Sequence, residues 1–304
     1  MSLIQYVREN VIQQLYYNYS RSYVHIQKVV QFLPKNIVLD HFAIIDLPSE
    51  KSGIFVLNQL FSSLEYIPQG RDYLQNKQNE FMWLAPMDAN LKKPIDVSPQ
   101  VVIADFCLDD LSSEVRDIVI KYTQSLSPLP WREFHRLVGK TYHDDSSAAN
   151  NLIKMIITYC QRRDTLPTIH DYEMVKEQNE LLAWVLAFGR GINHFGFNVG
   201  LLKCYSNLSD FNKSLNEKLQ LSLNQKNGMI KGNEIYQIAQ SSTLGEEITL
   251  PLLDGEIKLL SPFVEFIWRA KKHDNPVYWN DYFTGFIGEQ ADDVIESVYE
   301  TPKN

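Results

Sequence analysis

The chain has 304 residues, 44% hydrophobic and 22% charged, which is enough for one large or two ordinary globular units and typical of a soluble protein. A formal charge of −8 argues against a nucleic-acid partner, which needs a basic face, and no apolar run approaches the roughly 20 residues of a membrane span. Cys107, Cys160 and Cys204 are too widely spaced for a disulfide framework or a cysteine zinc site. With an N-terminus that lacks a long apolar stretch, they point to a reducing, cytoplasmic setting.

Residues 2–33 carry apolar side chains at helical spacing, among them Leu3, Val7, Val11, Leu15, Ile26 and Val29, and predict two helices ended near Pro34. A strand follows over 37–46, then a helix over about 51–64. Tyr66–Tyr73 and Glu80–Leu84 form a hairpin, and Pro99–Cys107 a closing strand. From Asp109 to Phe188 the pattern is helical, with loops around Ser125–Pro130 and Arg162–Pro167. The first order then returns: strand 192–199, helix about 208–223, and strands about 234–241, 246–252 and 257–269. From His273 onward the chain is aromatic but irregular, expected to pack as a lid or edge, with disorder in the last few residues.

Phe188-Gly-Arg-Gly-Ile-Asn-His-Phe-Gly-Phe-Asn-Val199 organises the second half. Its glycines mark a tight passage out of the preceding helix. Beyond them Ile192, His194, Gly196 and Asn198 share one strand face, while Asn193, Phe195, Phe197 and Val199 share the other. Leu39-Asp-His-Phe-Ala-Ile-Ile45 repeats the phrase, placing His41 as His194 is placed. The expected fold is therefore α+β, with two βαβββ modules (37–108 and 189–270) in one domain. Helices at 1–36 and 109–188 and an aromatic segment at 271–304 complete it. This paired arrangement resembles that of the vicinal-oxygen-chelate proteins, whose curved sheets form a cup and supply metal ligands from first and last strands.

Two neutral imidazoles on opposing strands suit a divalent first-row metal but need a third ligand. Glu265 is the choice, a lone carboxylate in the apolar strand Ser261-Pro-Phe-Val-Glu-Phe-Ile-Trp-Arg269 and costly to bury without a cation. His41, His194 and Glu265 would make a 2-His-1-carboxylate triad with open positions on Fe(II). Asp105 is a rival ligand, and Glu265 could instead pair with Arg269 or Arg190. Asp40 and Asn193 are expected on the face opposite the histidines, as strand-end hydrogen-bonders. His25, His135, His143, His170 and His273 read as surface or cap residues. No nucleotide-binding glycine loop occurs.

Leu181-Leu-Ala-Trp-Val-Leu-Ala-Phe-Gly-Arg-Gly-Ile-Asn-His-Phe195, Gln240-Ser-Ser-Thr243, Phe263-Val-Glu-Phe-Ile-Trp-Arg269 and Phe283-Thr-Gly-Phe-Ile-Gly288 resemble the 2-oxoadipate dioxygenase/decarboxylase family, over about residues 37–300. The resemblance implies metal ligation by His41, His194 and Glu265, Fe(II) as cofactor, and a 2-oxo acid and O₂ as partners. For 2-oxoadipate, the family's products are 2-hydroxyglutarate and CO₂. Members similar to this chain carry an arginine four residues after the first histidine, for the substrate's distal carboxylate; here that position is Ile45. Either Arg71, Lys77, Arg190 or Arg269 substitutes, or the substrate has an apolar tail. Gln240, Ser241 and Ser242 are further candidate substrate contacts. The alternatives are a glyoxalase-type lyase or isomerase, which usually has a fourth protein ligand, and a non-catalytic binding module.

Overall fold

The computed structural model describes residues 1–161 and 165–299. Two N-terminal helices, α1 (Leu3–Ser20) and α2 (Val24–Phe32), precede the first module: β1 (Val38–Ile45), α3 (Ile54–Ser62), β2 (Tyr66–Leu74), β3 (Asn79–Pro86) and β4 (Gln100–Phe106). Five helices follow, α4 (Ser113–Gln124), α5 (Trp131–Tyr142), α6 (Ser146–Tyr159), α7 (Ile169–Gln178) and α8 (Glu180–Phe188). The second module comprises β5 (Ile192–Asn198), α9 (Leu208–Leu219), β6 (Lys231–Gly232), β7 (Ile238–Ser242) and β10 (Phe263–Arg269), with a hairpin of β8 (Glu247–Pro251) and β9 (Glu256–Leu260) inserted before β10. Helix α10 (Gly288–Ile295) closes the chain.

Local chemistry sets many of these boundaries. Ser2 and Gln5 form a reciprocal capping box on α1, and Ser112, Asp145, Thr168, Asn179 and Asn207 each accept a backbone N–H at a helix start. Helix α8 is buried on every side except at Glu180. It ends at Gly189, whose φ of 75° is the left-handed conformation that glycine adopts without penalty. Gly191 shows no such constraint.

The main sheet has the order β2-β3-β4-β1-β5-β10-β7-β6, with the two modules meeting where β1 runs antiparallel to β5. Each module pairs its first and last strands in parallel, β1 with β4 and β5 with β10. One face carries Phe42, Ile44, Phe195, Phe197, Val264 and Phe266 into a core shared with α1, α2, α3, α5, α6 and α9. Ile45, Phe81, Ala104 and Phe263 belong to a second core, with α4, α7, α8 and α10. This strand alternation follows the period-two apolar pattern.

Three expectations change. The strand expected over 257–269 is broken between Leu260 and Phe263 because Pro262 cannot extend the ladder, so its first part pairs away from the main sheet. The aromatic C-terminal segment includes a helix, α10, and the extreme C-terminus lies outside the described residues, as does part of the Arg162–Pro167 loop. His25 is buried, its ring set between the Glu246 carboxylate and the Pro262 carbonyl, whereas His135, His143, His170 and His273 are exposed. No helix among the described residues is long and apolar enough to cross a membrane.

Asp105, the rival metal ligand, caps α3: its Oδ2 accepts the Ile54 N–H at 2.9 Å. Burial, with the neighbouring Asp46 charge adding to it, pushes its carboxyl from 3.8 up to about 6. The folded state therefore binds this proton more tightly than the unfolded chain, so the associated stability is complete below pH 4 and is lost as pH rises through about 6. Relative to Asp105→Asn, the wild-type unfolding free energy should fall by roughly 2–3 kcal/mol between pH 4 and 7. Denaturant titrations of both proteins across that range check this. A constant difference would mean that Asp105 titrates as an ordinary carboxylate.

Candidate metal centre

The modules' junction places one row of residues side by side: His41 on β1 lies opposite Gly196 on β5, which lies opposite Glu265 on β10. The next row holds Ala43, His194 and Phe263. Glycine is required at the middle of the first row, because a Cβ at Gly196 would sit 2.5 Å from His41 Cε1. The gap lets the His41 ring lean over β5, so that its Nε2 comes 3.2 Å from His194 Nε2 and 3.1 Å from Glu265 Oε2. His194 Nε2 is 3.0 Å from the same carboxylate oxygen. All three side chains are buried. Among the described residues they form the one group of three or more histidine, cysteine or acidic side chains whose ligand atoms converge in this way.

Asp40 and Asn193 are not on the opposite face as the alternation predicts. The β1–β5 register steps from Leu39–Phe197 to His41–Gly196, and from Ala43–His194 to Ile44–Ile192, leaving Asp40 and Asn193 as the extra residues of two β-bulges. A bulge sets two consecutive residues against one and re-aims their side chains. Consequently Asp40 Oδ1 lies 3.0 Å from His41 Nδ1, and Asn193 Oδ1 lies 2.8 Å from His194 Nδ1. Both partners are acceptors, so each imidazole donates from Nδ1 and presents the lone pair of Nε2 inward.

When both imidazoles are neutral, two inward nitrogen lone pairs and a carboxylate oxygen within about hydrogen-bonding distance of each other repel unless a proton or a metal cation lies among them. The donor set thus fits a divalent metal, with nitrogen and oxygen ligands suited to a first-row ion. The electrostatics show the same tension. Burial disfavours the charged form of His41, but Glu265 and Asp40 outweigh it and raise its pKa to about 9. His194 is shifted down, chiefly by burial. Burial opposes ionisation of Glu265, yet the two histidines hold its carboxyl well below the usual range.

Around this centre, Arg269 commits all its donors. Nε and Nη2 form a two-pronged pair with Asp40 at 2.8 and 2.7 Å, Nη2 also reaches Gln100, and Nη1 donates to the Phe283 and Gly285 carbonyls. It therefore fixes Asp40, which fixes His41, and it ties down the C-terminal segment that lays Phe286 edge-on over His41, ring centroids 4.9 Å apart. Beside the triad lies a cavity of about 60 Å³. Its walls are Ala43, Ile45, Val102, Ala104, Leu74 and Phe81 from the first module, and Phe286, Ala291, Val294 and Ile295 from the C-terminal segment.

The other site candidates fall as follows. Gln240 lines the cavity and donates to Glu265 Oε1 at 2.5 Å. The structure does not bring Arg71, Lys77, Arg190, Ser241 or Ser242 to the cavity wall. Arg71 is exposed and pairs with Glu80, while Lys77 pairs with Asp292 and Glu296. Arg190 is buried against Asp46. Ser241 donates to Asn212, and Ser242 shares a hydrogen bond with Ser297. Arg71 is paired within its own hairpin, whereas Lys77 and Arg190 take their partners from distant segments, which local sequence cannot reveal. Sequence reasoning set Asp40 and Asn193 on the opposite face and gave Gly196 and Phe286 no part in the site; the one signal it had was the polar side chain that precedes the histidine in both copies of the repeated phrase.

The duplicated architecture also locates the position equivalent to Glu265 in the first module. Glu265 lies two residues beyond Phe263, the parallel-strand partner of His194; two residues beyond Gln100, the partner of His41, stands Val102. The fourth ligand that two-fold symmetry would supply is thus replaced by an apolar side chain on the cavity wall.

Comparison with known proteins gives concordant results. A family model described as 2-oxoadipate dioxygenase/decarboxylase matches residues 3–266. The chain is 26% identical over 281 residues to the chloroplastic 2-oxoadipate dioxygenase/decarboxylase of Arabidopsis thaliana, covering 88% of this chain and 69% of the relative. In fold it is similar to the Oryza sativa hydroxyglutarate synthase solved in complex with 2-oxoadipate, with a TM-score of 0.79, 20% identity, and 97% and 93% of the two chains covered. It is also similar to a structure from Ralstonia eutropha JMP134 described as a glyoxalase superfamily protein, with a TM-score of 0.74, 16% identity, and 93% and 85% covered.

Proposed function

Because the chain belongs to the 2-oxoadipate dioxygenase/decarboxylase family, we propose that it is a non-haem Fe(II) enzyme that oxidatively decarboxylates a 2-oxo acid with O₂. The observation that supports this most is the convergence of His41 Nε2, His194 Nε2 and Glu265 Oε2 beside an apolar cavity, with no fourth ligand at Val102. A metal held by three protein ligands would have room to bind a 2-oxo acid and O₂ as well. A glyoxalase-type reading would want a fourth protein ligand, and Val102 cannot serve.

Fe(II) held by these three residues would supply the one-electron chemistry that lets O₂ react with a closed-shell acid. The protein's own residues then have positioning tasks. Asp40 and Asn193 hold the imidazoles in the Nδ1–H tautomer and fix their rings, while Arg269 keeps Asp40 ionised and in place. Phe286 and α10 shield the cavity from water, which would otherwise compete for open positions. Gln240 steadies the Glu265 oxygen that does not face the histidines.

The test is anaerobic reconstitution with Fe(II), followed by O₂ uptake and CO₂ release with a panel of 2-oxo acids. Equimolar O₂ consumption and CO₂ release are expected, and both should vanish in His194→Ala. Metal-loaded protein that consumes no O₂ with any 2-oxo acid would overturn the assignment.

A further inference from the structure

Resting on the 2-oxo-acid reading above, we infer that the substrate is a monocarboxylate with a short, uncharged, apolar side chain, not a dicarboxylate. Along β1, the residues His41, Ala43 and Ile45 follow one another on the cavity wall, so a molecule held at the triad by its 2-oxo-carboxylate end extends toward Ile45. There Ile45, Leu74, Phe81, Val294 and Ile295 enclose it with methyl groups and an aromatic ring. Apart from the triad, the polar side chains on the wall are Gln240 and Asn79, both neutral amides. Gln240 is engaged with Glu265, and Asn79 donates to the Asp105 carbonyl.

No lysine or arginine among the described residues lines the cavity. The cations around it are committed elsewhere: Arg269 to Asp40, Arg190 to Asp46, Lys77 to Asp292 and Glu296, and Arg71 to Glu80. Lys231, the register partner of Gln240, directs its ammonium to Asn224 and to the Gly228 carbonyl. A second carboxylate entering this space would lose its hydration and meet no counter-charge, which is heavily penalised, whereas an alkyl tail gains by leaving water. The cavity is also small, about 60 Å³, which favours a short tail.

The reaction balances for such an acid without any further reductant. In 4-methyl-2-oxopentanoate, the C1–C2 bond breaks and C1 leaves as CO₂. One oxygen atom of O₂ joins C2 to complete a new carboxylate, and the other inserts into a C3–H bond. The two substrate oxidations supply the four electrons that O₂ takes up, and the product is 2-hydroxy-3-methylbutanoate.

The experiment compares 4-methyl-2-oxopentanoate, 2-oxohexanoate, 2-oxoglutarate and 2-oxoadipate on the Fe(II)-loaded protein. It reads O₂ uptake, product mass and, anaerobically, binding by calorimetry. The apolar acids should exceed 2-oxoadipate in kcat/KM by at least about 100-fold, because the dicarboxylate leaves a buried charge unpaired, and they should bind correspondingly tighter. Ile45→Ala should shift preference to bulkier apolar tails, and Ile45→Arg should narrow or reverse the ratio in favour of 2-oxoadipate. If Ile45→Arg does not fold, the wild-type panel and Ile45→Ala decide alone. Equal or better turnover and binding of 2-oxoadipate would overturn the inference while leaving the 2-oxo-acid chemistry intact. Loss of O₂ uptake with every acid would instead remove the reading on which it rests.

Discussion

Glu265→Gln is expected to strip the centre of metal while leaving the fold in place. The carboxylate is 1% exposed, faces both imidazoles at 3.0–3.1 Å, and is held ionised by them against the cost of burial. Glutamine keeps the volume and one oxygen but removes the negative charge that balances a divalent ion in a buried site. Losing a hydrogen-bond partner outside the ligand set costs about 10–100-fold in metal affinity, and losing this ligand's charge should exceed that. Elemental analysis after reconstitution and dialysis checks the loss, with far-ultraviolet circular dichroism as the control for folding. Retention of stoichiometric iron by the glutamine variant would remove Glu265 from the ligand set.

Arg269→Met is expected to be the most destabilising of the substitutions considered. Arg269 and Asp40 are both fully buried and joined by two short hydrogen bonds, and the guanidinium also satisfies the Phe283 and Gly285 carbonyls. Removing one partner of a buried pair strands the other, at a cost of about 3–5 kcal/mol. In a protein of this size that corresponds to a fall in melting temperature on the order of 10 °C. Because Asp40 orients His41, iron affinity should fall as well. Adding Asp40→Asn should recover part of the melting temperature, since it removes the stranded charge, but should not restore iron binding. Calorimetry of the metal-free proteins reads the first effect. A shift below about 2 °C would show that the pair contributes little.

Both predictions concern residues that the sequence exposes unequally. Glu265 is conspicuous as a lone carboxylate among apolar neighbours, and the matched Asp-His-Phe and Asn-His-Phe phrases mark His41 and His194. Arg269, by contrast, reads as one free cation among several. Its role depends on Asp40 lying on the same side as His41, which in turn depends on a one-residue bulge. Helix α10 was similarly hidden, because an eight-residue helix after an irregular aromatic stretch has little periodicity to show.

The sequence by itself determined the duplicated βαβββ plan, the strand faces away from the two bulges and the three candidate ligands, because these follow from short-range periodicity and from the cost of isolated polar groups in apolar strands. Only the tertiary structure decided the two bulges, the pairing of Arg190 and Arg269, the close approach of the His41 ring to Gly196 and the apolar wall at Val102 and Ile45. Those depend on which strands become neighbours and in what register, and a single residue of slip reverses which side chains share a face.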